Sequence, residues 1–115
     1  TFAATGNDGS TDKVGFPACV PGVIGVGALG SLAKVKLPST YTEILPLTNK
    51  GTGLDIVAQG EIDVIRYNGS VASFSQTSAA TPIAASLYLG VTKYTTFNDF
   101  IISVNKVKGY PYISR

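Results

Sequence analysis

The segment Gln76-Thr77-Ser78-Ala79-Ala80-Thr81-Pro82-Ile83-Ala84-Ala85 is where these 115 residues best place a reactive group. A Ser at the opening of a helix projects its hydroxyl from a loop–helix junction. The unpaired backbone N–H groups of the first turn, together with the helix dipole, favour a developing negative charge there. The same placement fits an ordinary N-cap Ser or Thr, and spacing alone does not separate the two readings. The chain has no His, so it contributes no imidazole base and no imidazole metal ligand. A Ser hydroxyl without a base is a weak nucleophile. The single Cys19 excludes an internal disulfide and a thiolate metal cluster, and reads as a small, partly buried apolar residue.

The elements that must hold such a serine are legible as runs. Residues 2–5 read as a short buried strand ended by the turn Gly6-Asn7-Asp8-Gly9, and residues 10–22, with two Pro, as a loop. Residues 23–28 (Val-Ile-Gly-Val-Gly-Ala) form a second strand whose glycines point to close backbone approach. Both runs are continuous rather than alternating, as in a parallel sheet covered on both faces. Residues 33–37, 41–47, 54–58 and 62–67 are further strand candidates. From Thr77 to about Tyr88 the pattern turns helical: Ile83, Leu87 and Val91 recur at four-residue steps, and Pro82 falls in the first turns, where its missing N–H is tolerated. Thr96 is placed to cap a last helix over 97–104, with Phe97, Phe100, Ile101 and Val104 on one face, and 109–115 reads as coil. These runs predict one α/β unit spanning residues 1–115.

Composition limits the function classes. Charged residues make up only 14% and the net charge is +2 with scattered Lys and Arg, which argues against a disordered arm and against nucleic acid as a partner. No stretch approaches the ~20 apolar residues needed to span a bilayer, so no membrane partner is expected. The chain has no Met, so Thr1 is not a natural translation start and a processed product or fragment is expected. Gly25-Val26-Gly27-Ala28-Leu29-Gly30 lies inside and at the end of a strand rather than opening a helix, which argues against a dinucleotide-binding turn.

The sequence resembles the subtilisin-like serine proteases, the subtilases of peptidase family S8. Thr77, Ser78, Ala80 and Pro82 match the family's Gly-Thr-Ser-x-Ala-x-Pro nucleophile signature. Residues 3–9 (Ala-Ala-Thr-Gly-Asn-Asp-Gly) resemble its Ala-Ala-Ala-Gly-Asn-x-Gly segment. Residues 14–18 and 21–28 are similar to its Tyr-Pro-Ala…Pro-x-Val-Ile-x-Val-Gly-Ala run. Asn49-Lys50-Gly51 and residues 54–60 resemble Ser-Asn-x-Gly and Val-Asp-Val-x-Ala-Pro-Gly. The blocks fall in the family's order and cover residues 2 to about 90.

The resemblance implies a three-layer αβα fold with a mostly parallel sheet, of which only the C-terminal part lies in this chain. It implies a serine endopeptidase acting through an acyl-enzyme on Ser78. Asn7 would donate its side-chain amide to the oxyanion, with the Ser78 backbone N–H as second donor, although Asn7 between Gly6 and Gly9 also fits a plain turn. Ala3, Ala4 and Gly6 would line one wall of the pocket for the residue before the scissile bond. Gly15 would form the pocket floor, and Phe16-Pro17 would be a candidate cis peptide. No cofactor is implied for catalysis; structural calcium and a secreted location follow from the resemblance alone. The partners implied are a peptide or protein substrate and an N-terminal segment or second chain. That partner would carry the catalytic Asp and His, because the family's triad runs in the order Asp, His, Ser. Asp8, Asp12, Asp55 and Asp63 do not stand in the family's catalytic context and are not assigned. Gln76 replaces the Gly before Thr-Ser; if that position needs positive φ, Gln76 is strained. Gln76 and the missing His motivate the alternative, an inactive pseudoprotease kept as a binding or scaffold module.

Overall fold

The computed structural model describes residues 1–31, 41–90 and 106–113. The continuous apolar runs become the centre of a six-stranded sheet ordered β1-β2-β4-β8-β7, with β3 beside the far end of β2. β1 (Phe2–Ala4), β2 (Ile24–Ser31) and β4 (Ile56–Gln59) are parallel neighbours, with Phe2 opposite Ile24 and Val26 opposite Ile56. β8 (Tyr110–Ile113) adds in parallel to β4. β3 (Tyr41–Ile44) and β7 (Lys106–Val107) pair antiparallel, with β2 and β8 respectively. β5 (Glu61–Ile65) and β6 (Val71–Ser75) form a separate hairpin that leads directly into helix α1 (Thr77–Leu89).

Strand alternation sorts the core onto the two faces of this sheet. Val26, Ala28, Ile56, Ala58 and Ile113 turn to one face and meet Ala80 and Ala84 of α1. Phe2 joins them, its ring 5.6 Å from that of Tyr88 on the helix. Leu29 and Val57 turn to the other face and meet Leu54. Burial of a single Val, Ile or Leu contributes about 1.5–3 kcal/mol, so β2 and β4, whose side chains are covered on both faces, anchor the sheet. The small side chains of α1 let its axis approach closely. On β2 the close approach is to backbone: a methyl group at Gly25 would overlap the Gly53 carbonyl, so the segment before β4 lies flat against the strand. The mostly parallel α/β architecture is as the sequence predicts.

Four local differences have physical causes. β4 starts two residues later than the apolar run: Asp55 meets Gly25 through its carboxylate, which accepts the Gly25 N–H at 2.8 Å in place of a backbone carbonyl, while its own N–H donates to Gly25 O at 2.9 Å. The 41–47 candidate ends at Ile44, followed by a turn in which Thr48 N–H donates to Leu45 O. The hairpin partner β6 is not visible as a period-2 pattern, because most of its residues are exposed. The coil expected over 109–115 is overturned for Tyr110–Ile113, which form a strand. Lys108 (φ 52) and Gly109 (φ 88) form a two-residue turn with both φ positive, the geometry that joins antiparallel strands. Tyr110 and Tyr112 then pack toward Leu29, Leu54 and Val57. The strand candidate at 33–37 and the Thr96-capped helix over 97–104 lie outside the described residues.

Candidate active site

The site is built where the carboxyl end of β1 meets the amino end of α1. Gln76 precedes the helix with φ 74 and ψ −161, and its carbonyl accepts the Ala79 and Ala80 N–H groups at 3.1 Å each. Thr77 is fully buried, while Ser78, one residue on, is exposed. No hydrogen bond ties up the Ser78 hydroxyl or its backbone N–H among the described residues.

Asn7 reaches this end from the loop after β1. Its Oδ1 accepts the Thr77 backbone N–H at 3.1 Å and the Thr77 hydroxyl at 2.7 Å. A backbone N–H can only donate, so the Asn7 atom facing it must be the carbonyl oxygen, which fixes the amide orientation. The Asn7 NH2 is thereby turned away from Thr77 and makes no hydrogen bond among the described residues. Among the described residues, then, the Asn7 NH2 and the Ser78 backbone N–H are donors without a partner, and the Asn7 side chain is bonded to Thr77, the residue before the exposed Ser78. The arrangement can donate two hydrogen bonds to an oxyanion.

The predicted pocket residues surround the same end of β1. Ala3 is buried and Ala4 half-buried. Successive strand side chains point to opposite faces, so any wall these two share is made by the backbone edge of β1. Gly15 N–H donates to Thr5 O at 2.7 Å, which brings the loop after Val14 alongside that strand end. The Phe16-Pro17 bond in this loop is cis, and Phe16 is 82% exposed. Gly6 has φ 102, and a methyl group there would stand 2.5 Å from Asn49 Nδ2, so this glycine is required by conformation and by a neighbour. Gln76 has the positive φ that the sequence raised as a possibility, and its Oε1 is buried without a partner among the described residues.

Three of the unassigned carboxylates are engaged locally. Asp8 accepts from Asn49 Nδ2, Asp12 from the Ser10 hydroxyl, and Asp55 from Gly25. Among the described residues no three His, Cys, Asp or Glu side chains stand together as a metal site. No helix among them is long and apolar enough to cross a membrane.

A mostly parallel α/β sheet carrying this Asn and Ser at its carboxyl edge defines the class of fold and site. A model of the subtilase family matches residues 1–108, and the chain belongs to this family of serine peptidases. It is 32% identical over 102 residues to subtilisin of Bacillus pumilus, a match covering 84% of this chain and 34% of that protein. It is 36% identical over 90 residues to an intracellular serine protease of Paenibacillus polymyxa, covering 73% of this chain and 24% of the relative. Among solved structures it is similar to the prenylagaramide maturation protease PagA, with TM-score 0.61 and 32% identity over 75% of this chain and 29% of that one. The chain thus spans about a quarter to a third of the length of the relatives it matches.

Proposed function

We propose that this chain supplies the nucleophile and oxyanion side of a serine endopeptidase. Ser78 Oγ attacks the carbonyl carbon of a peptide bond. Its proton passes to a His carried, with an Asp, on polypeptide outside these 115 residues. The Asn7 amide and the Ser78 N–H donate to the carbonyl oxygen as it becomes an oxyanion. Collapse breaks the C–N bond, the same His returns the proton to the leaving amine, and water then hydrolyses the acyl-enzyme. The observation that supports this reading is the Asn7–Thr77 clamp, which spends the Asn7 oxygen on the residue before Ser78 and leaves the Asn7 NH2 without a partner among the described residues.

A second reading, an inactive binding module, is favoured by one observation: Gln76, two residues before Ser78, occupies a conformation better suited to Gly, with an oxygen that has no partner among the described residues. Peptide hydrolysis by the full-length protein separates the two. The peptidase reading predicts turnover that Ser78→Ala abolishes. A folded full-length protein with no turnover above that of Ser78→Ala supports the binding module.

A further inference from the structure

The loop that presents Asn7 is short of internal support. Gly6 and Gly9 both have positive φ, and Asn7 and Asp8 are exposed. Besides the Asn7–Thr77 bonds and the Gly9 N–H donated to Leu47 O at 2.8 Å, one residue 42 positions along, before β4, ties it down most extensively. Asn49 is 2% exposed. Its Nδ2 donates to Thr5 O at 3.0 Å and to Asp8 Oδ2 at 3.1 Å, and its Oδ1 accepts the Asp8 and Ser10 N–H groups, both at 3.0 Å. Its backbone N–H donates to Gly6 O at 3.0 Å. These bonds hold residues 5, 6, 8 and 10, on both sides of Asn7. An amide is the side chain that satisfies this set: two donors and one doubly accepting oxygen in a plane. Gly6 completes the fit, since a methyl group there would collide with Asn49 Nδ2.

We infer that Asn49 is a positioning residue for the oxyanion donor, acting on the reaction through Asn7 without touching substrate. The inference rests on the peptidase reading and deepens it. A donor serves an oxyanion only within hydrogen-bond distance of where the charge develops, and a misplacement of about 1 Å costs up to about 10²-fold in rate.

The test is a double-mutant cycle on the full-length protein, measuring kcat and KM for a peptide substrate. Asn49→Ala is expected to lower kcat by about 10–10²-fold with KM little changed. In an Asn7→Ala background the same change is expected to lower kcat by less than about 3-fold, because its route to the reaction is already gone. Full additivity, or a loss confined to KM, would overturn the inference. Asn49→Asp keeps the shape and the accepting oxygen but sets a carboxylate against Thr5 O and Asp8; it provides the reading where Asn49→Ala does not fold. Adding Asp8→Asn restores a donor–acceptor pair and is expected to recover part of kcat. Failure of both Asn49 variants to fold would leave a purely structural residue and overturn the inference. If Asn7→Ala itself leaves kcat unchanged, the peptidase reading fails first. If Asn7→Ala lowers kcat and Asn49→Ala does not, the inference alone fails.

Discussion

Gln76 holds a backbone conformation that costs a side-chain-bearing residue about 1–3 kcal/mol, and it buries an oxygen that has no partner among the described residues as well. Gln76→Gly removes both penalties against a Gly entropy cost of about 0.5–1 kcal/mol. It is therefore expected to stabilise the fold by about 1 kcal/mol, read as a higher denaturant midpoint at unchanged slope. Asn7→Ala is expected to lower kcat by about 10²–10³-fold with little change in KM, the magnitude known for such a donor in subtilisin. These two residues also show what is legible from sequence. The cis Phe16-Pro17 bond was reachable because it sits inside an ordered motif block, as do the proposed site residues Ser78 and Asn7. The fivefold bonding of Asn49 was not: its partners lie about 40 residues away, and in the sequence it is only one position of a short motif.

At the scale of elements, α1 meets the sheet through fully buried Ala80 and Ala84, flanked by the half-buried Ile83, Leu87 and Tyr88. Ala84 is fully buried against the strands. Ala84→Leu is expected to destabilise by about 1–3 kcal/mol through overpacking, whereas a change at exposed Ser86 is expected to stay within about 0.5 kcal/mol. Thermal unfolding of the two variants distinguishes them. β1, β2, β4 and α1 were readable because burial on both faces and Ala-rich helical spacing leave strong patterns. β6 and β8 were not. β6 is mostly exposed, and β8 contains Pro111, which reads as a strand breaker until the buried Ile113 and the Lys108-Gly109 turn are seen to fix it.

For the whole molecule, the sheet is where partial coverage matters. Among the described residues β2 is the one strand paired with β1, which puts β1 at the edge of the described sheet. Such an edge invites association. The 115-residue chain alone is expected to self-associate with concentration in sedimentation, and the full-length protein is not. The core rests on few side chains, and Ile56→Ala is expected to cost about 2–5 kcal/mol.

The most direct measurement is labelling of the folded full-length protein with a serine-directed phosphonate, located by mass spectrometry. The account predicts one adduct on Ser78, absent in Ser78→Ala and after unfolding, and slower to form in Asn7→Ala. A folded protein that takes no label at Ser78, or takes it equally fast without the Asn7 amide, would contradict it.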